Sequence, residues 1–121
     1  MEDGTIYAGI SPDTKGHMFA MPEGIPLTCT FNGAAEFVAG LNRARYLDHD
    51  DWRVPTKYEL DTLFQHRAAI GGFDETGSDP YGRYWSSTED GRYTAWGERF
   101  DNGILTVSSK DKHASVRCVR G

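Results

Sequence analysis

The sequence predicts an α+β fold in which two helices from the first half pack on a twisted antiparallel sheet from the second, with long loops between them. Three observations carry this expectation. Apolar residues recur at helical spacing from Phe31 to Leu41, a helix-capping pattern stands at Thr56–Glu59, and four short β-type segments follow Arg83. A chain of 121 residues is the size of one ordinary domain, so residues 1–121 are read as a single unit.

Thr5 to Ile10 carries β-branched and aromatic residues. Ser11, Pro12, Asp13 and Gly16 then form a turn before a second apolar run, His17 to Met21, which together read as an opening hairpin. Pro22, Gly24 and Pro26 break regular structure, and Leu27 to Thr30 lead into the first helix. Phe31, Ala34, Ala35, Val38 and Leu41 share one helical face, and Thr30 is placed to accept a first-turn amide, so this helix spans 31–43.

In Thr56-Lys57-Tyr58-Glu59 the Thr hydroxyl and the Glu carboxylate can each satisfy a free amide, which starts the second helix behind Pro55. Leu60, Leu63 and Phe64 form its apolar stripe, and Gly71-Gly72 ends it. Residues 71–83, rich in Gly, Asp, Ser and Pro, read as a long surface loop of the kind that carries function. Strands are expected at 84–88, 93–100, 104–108 and 114–119 as an antiparallel meander, with turns at Glu89-Asp90-Gly91, Asp101-Asn102-Gly103 and Lys110-Asp111-Lys112.

Charge and composition narrow the function classes. A net charge of −5 with dispersed Lys and Arg disfavours nucleic acid as a partner, because neutralising phosphates needs a concentrated basic surface. No window approaches the length of apolar chain that spans a bilayer, and the acidic opening Met1-Glu2-Asp3 does not resemble a secretory signal. An extracellular, cell-surface or virion setting is expected if the chain is part of a larger or separately exported protein, and a cytoplasmic one otherwise. Cys29 and Cys118 could pair and close a long loop.

Several residue groups could carry chemistry. Trp52, Trp85 and Trp96 could stack on sugar rings, but core packing is the favoured reading, and Trp96 shares strand parity with Phe100. The acidic groups Asp48, Asp50, Asp51 and Asp74, Glu75, Asp79 have the oxygen chemistry for calcium. They lack EF-hand spacing and read as solvated loop carboxylates, so no resident cofactor is expected. His17, His49, His66 and His113 lie in separate segments without a helical metal-binding pair. Arg53, Glu59 and Arg117 are assigned to structure. No nucleophile elbow, phosphate loop or Cys-x-x-Cys pair appears.

Four ordered blocks carry a family resemblance: Asp51-Trp52-Arg53-Val54-Pro55-Thr56 with Glu59-Leu60 and Leu63; Tyr84-Trp85-Ser86-Ser87-Thr88; Ala95-Trp96 with Phe100 and Gly103; and Val116-Arg117-Cys118-Val119-Arg120-Gly121. Over residues 27–121 the chain resembles the bacterial family named after the C-terminal domain of the collagen-like adhesin Lcl. The resemblance implies a C-type-lectin-like fold, related to formylglycine-generating enzymes and to the variable proteins of diversity-generating retroelements. Many members of the family place within the first helix a cysteine that could pair with the last-strand cysteine. Val38 stands there in this chain and Cys29 lies before the helix. The copper-binding cysteine pair and the histidine iron site of the enzymatic relatives are both missing, and the sulfated polysaccharide associated with the adhesin fits poorly with an acidic domain.

The expected function is therefore a noncatalytic recognition module for a protein or glycan ligand. It would bind through the 71–83 loop and the sheet turns, with Tyr81, Arg83, Arg92, Tyr93, Arg99 and Asn102 as contact residues. Alternation along the strand turns Arg99 away from Trp96 and Phe100, toward solvent or a partner. Two alternatives stand beside it: an oligomeric, for example trimeric, head domain of an adhesin or phage fibre, and a metal-dependent enzyme of unknown chemistry.

Overall fold

A computed structural model describes residues 3–23 and 28–121. The start at Met1-Glu2 and the breaks expected at Gly24 and Pro26 lie outside the described residues. Ile6–Ile10 (β1) and His17–Ala20 (β2) form the opening hairpin. The Thr30 side chain accepts the Gly33 amide and opens α1, Phe31–Arg43. Ala34 is buried on that helix, and Phe31, Phe37, Val38 and Leu41 pack beside it. The chain then turns through left-handed Arg45 and Leu47 (φ 50° and 53°). Trp52 anchors this turn: Asn42 brackets its backbone with bonds of 3.0 and 2.8 Å, and its indole N–H donates to Tyr46 O at 2.9 Å.

Both halves of the expected capping box form at the start of α2, Lys57–Gln65. Glu59 does more than cap. It is fully buried, accepts two bonds from Arg53 at 2.5 and 2.9 Å, and takes the Ser11 hydroxyl at 2.5 Å, so it ties the hairpin turn to the helix. Burial alone would raise its pKa, but Arg53, Ser11 and the Thr56 amide outweigh that and hold it below the ordinary glutamate value. A short further helix, α3 (Arg67–Ile70), follows and ends at Gly71, where φ is 77°.

Arg83–Glu89 (β3), Thr94–Arg99 (β4) and Leu105–Ser109 (β5) form the expected antiparallel meander in the order β3-β4-β5. The expected fourth strand at 114–119 is a correction. Only Val119–Arg120 (β6) is a strand, and it pairs with β2 to complete a second sheet of order β1-β2-β6. The architecture is therefore two three-stranded antiparallel sheets with helices packed on them, rather than one. Residues 114–119 are all buried, so this segment threads through the molecule where alternation between a wet and a dry face cannot apply. It bonds to Cys29, Arg83, Trp85 and Arg53 in turn.

The meander is covered on both faces. On one face Trp85 and Ala95 pack in a cluster with Ala34 of α1, and Phe31 meets the Trp85 ring edge-on at 5.7 Å. On the other, Tyr84 and Phe100 pack with Leu60 and Leu63 of α2. Trp52 and Trp85 are core residues, at 2% and 1% exposure. Trp96 differs from the core reading: it lies on the α2 face but is only half-buried, with the Lys57 ammonium 4.2 Å from its ring.

Glu98 also faces α2 and is fully buried. Neither of its oxygens meets a donor among the described residues, and its side-chain neighbour is Asp61. Two carboxylates cannot hydrogen-bond unless one carries a proton. Burial, reinforced by Asp61, pushes Glu98 up to about 9, so the proton resides on Glu98 at neutral pH.

Candidate functional site

Residues 71–83 form a loop that is pinned along its length. Arg117 Nη1 donates to Gly71 O at 2.8 Å, the Asp74 amide to the Tyr84 hydroxyl at 2.8 Å, and Arg67 Nε to Glu75 at 2.8 Å. Arg99 reaches Gly77 O at 3.5 Å, Arg83 pairs with Asp79 at 3.2 Å, and Ser115 Oγ donates to Tyr81 O at 2.7 Å. Gly77 is required here. Its φ is +79°, and a Cβ would stand 2.8 Å from an Asp101 carboxylate oxygen.

The loop walls a cleft of about 510 Å³ together with Glu23, Tyr84 and Ser115; Phe73, Asp74, Glu75 and Tyr81 supply the loop side. Beneath it lies Arg117, fully buried, with its guanidinium 4.5 Å from the Phe73 ring and its Nε donating to Met21 O at 2.9 Å. Burial draws the Arg117 pKa below its ordinary value, and the nearby Glu23 carboxylate acts against that. No described carboxylate forms an ion pair with it, so the acidic rim above supplies diffuse compensation for a buried cation. Burial also raises Tyr84, which keeps its phenol protonated.

The expected contact residues divide between two ends of the sheet. Arg83 and Arg99 are cross-strand partners at the loop end, where Tyr81 and Asn102 also lie. Arg92 and Tyr93 occupy the β3–β4 turn beyond the Glu89–Ala95 pair, at the opposite end. Tyr81 and Tyr93 are free, at 50% and 72% exposure. Arg99 is instead committed to Asp101, with bonds of 3.1 Å from both Nε and Nη2. Arg83 donates to His113 O at 2.9 Å. These two arginines hold the loop, and Asn102 caps its own turn by accepting the Ile104 amide at 3.0 Å.

Of the six carboxylates considered for calcium, Asp48 is exposed and the other five are engaged by groups of the same chain. Asp74 accepts Thr76 N and Oγ1 at 2.9 and 2.6 Å, Glu75 and Asp79 pair with arginines as above, Asp50 pairs with Arg45 at 3.0 Å, and Asp51 with Arg120 at 2.9 Å. The histidines are separate: His49 meets Asp3 at 2.8 Å and His17 meets the Tyr7 hydroxyl at 2.8 Å. Cys29 and Cys118 are both free thiols packed in one cluster, and burial pushes Cys118 up to about 12.

The sequence does not single out Phe73, Ser115 or Glu23 as site residues. Phe73 had a signal, being the one large apolar residue of its loop before Tyr81. Ser115 and Glu23 had none, because they reach the cleft from distant segments. Among the described residues no helix is long and apolar enough to cross a membrane. No curated protein matches the chain. Residues 14–120 match the family described as the Lcl C-terminal domain, which extends the likeness through β2 as well as the four motif blocks. On that match, covering most of its length, the chain belongs to the Lcl C-terminal domain family.

Proposed function

We propose that this protein is a noncatalytic recognition module that binds a protein or glycan ligand in the cleft walled by residues 71–83. The observation that carries this reading is a loop fixed in place before any ligand arrives, by Arg67, Arg83, Arg99 and Arg117, beside a cleft of about 510 Å³. A preformed concavity saves the ordering entropy that a mobile loop loses on binding. Tyr81 offers a half-exposed aromatic face at the rim, and Glu23, Asp74 and Glu75 offer acceptor oxygens. That combination suits sugar hydroxyls or the cationic side chains of a protein, and repels sulfated chains. The noncatalytic part of the reading is supported by Tyr84. Burial shifts its pKa upward, away from any role as a base near pH 7.

Neutral-glycan, sulfated-glycan and protein arrays probed with wild type and Tyr81→Ala test this. Binding to neutral glycans or basic proteins, reduced about tenfold or more in the variant, is the expected result. Binding confined to sulfated glycans, or unchanged by Tyr81→Ala, would overturn the assignment of the cleft.

A further inference from the structure

β5 is the outer strand of its sheet: β4 pairs with it on one side, and among the described residues no strand pairs with it on the other. Two backbone bonds fix which groups are left free. Arg99 N donates to Ile104 O at 3.0 Å, and Lys110 N donates to Tyr93 O at 2.9 Å. Bonded and non-bonded pairs alternate in an antiparallel ladder. With Glu98 opposite Leu105 and Trp96 opposite Val107, the N–H and C=O groups of Ile104, Thr106 and Ser108 turn toward β4. Those of Leu105 and Val107 turn outward.

Sheet edges are ordinarily blunted by charge, proline or a bulge. β1 has such a device, a register shift between Tyr7 and Gly9 with Gly9 at φ 102°. β5 has none. Ile104 to Ser109 contains no charge and no proline, its register against β4 is unbroken, and Ile104 and Val107 are 54% and 40% exposed. In a chain of net charge −5, this neutral strand is where a second copy meets little repulsion.

We propose that β5 is a self-association edge, and that two copies join antiparallel through it about a two-fold axis at Thr106 to form one continuous sheet. Side-chain parity requires the axis to pass through a residue, because directly opposed residues share a face. An axis at Thr106 places Leu105 opposite Val107 of the second copy, twice by symmetry, in pairs whose outward N–H and C=O groups satisfy one another. An axis at Val107 would instead set Leu105 against Ser109 and Ile104 against Lys110. The pairing does not use the 71–83 cleft, so it stands independently of the recognition reading.

Sedimentation velocity from ~10 µM to ~1 mM, the range in which small interfaces associate, tests the proposal. Wild type is expected to approach twice the 13.5 kDa chain mass. Thr106→Asp and Thr106→Lys, each placing like charges across the axis, are expected to remain at the chain mass with unchanged circular dichroism. An equal mixture of the two variants should recover the doubled mass through an Asp–Lys pair. Wild type that stays at the chain mass throughout, a threefold mass, or folded variants that fail to recombine would each overturn it.

Discussion

Replacing Glu98 by Gln should stabilise the protein at neutral pH and remove most of the pH dependence of its stability between pH 5.5 and 7.5. In the folded chain Glu98 is fully buried beside Asp61 and holds its proton up to about pH 9; unfolded, it loses that proton near 4.5. Between those values the unfolded state binds one proton fewer, so wild-type stability falls as pH rises, by about 1.4 kcal/mol per unit. The loss begins above the unfolded pKa and is complete only once pH passes the folded one. From pH 5.5 to 7.5 it amounts to roughly 3 kcal/mol, or about 10 °C in Tm for a domain of this size. Glutamine keeps the shape, carries no charge at any pH and can donate an amide hydrogen to Asp61. The assay is urea denaturation of wild type and Glu98→Gln at each half unit across this window, with the difference between the two proteins as readout. Histidine titration and the salt-bridged carboxylates then cancel. Parallel profiles, or a Gln variant less stable than wild type at pH 7.5, would refute the buried-acid argument.

Removing the acid at position 59 should have the opposite effect. Glu59→Ala strands the Arg53 guanidinium and frees the Ser11 hydroxyl and the Thr56 amide, so a loss of roughly 2–4 kcal/mol is expected in the same denaturation assay. Gly103→Ala should cost about 2 kcal/mol or more, because a Cβ there would stand 2.4 Å from the Phe64 ring at a φ of +75°. Arg99→Ala removes a partly exposed pair and should leave the urea midpoint nearly unchanged, yet amide exchange at residues 77–79 should accelerate as the loop loses its tether.

What could be read from the sequence was local. Thr30 and Thr56 mark both main helix starts because a cap needs only a side-chain oxygen three residues from a free amide. The meander was legible because Gly and Asn turns punctuate alternating strands, and the family because Trp52, Trp85 and Arg117 hold motif positions that serve the core. Tertiary structure alone decided three further matters. The segment 114–119 left the meander and threaded between the sheets, because burial on every side erases the alternation by which an edge strand is recognised. Arg99, a surface candidate by parity, and Arg83, a contact candidate beside it, are engaged in holding the 71–83 loop and its neighbouring turn by Asp101 and Asp79. The cleft itself gathers Glu23, Phe73, Tyr84 and Ser115 from segments far apart in the chain, and no local spacing encodes a contact that exists only when those segments fold together.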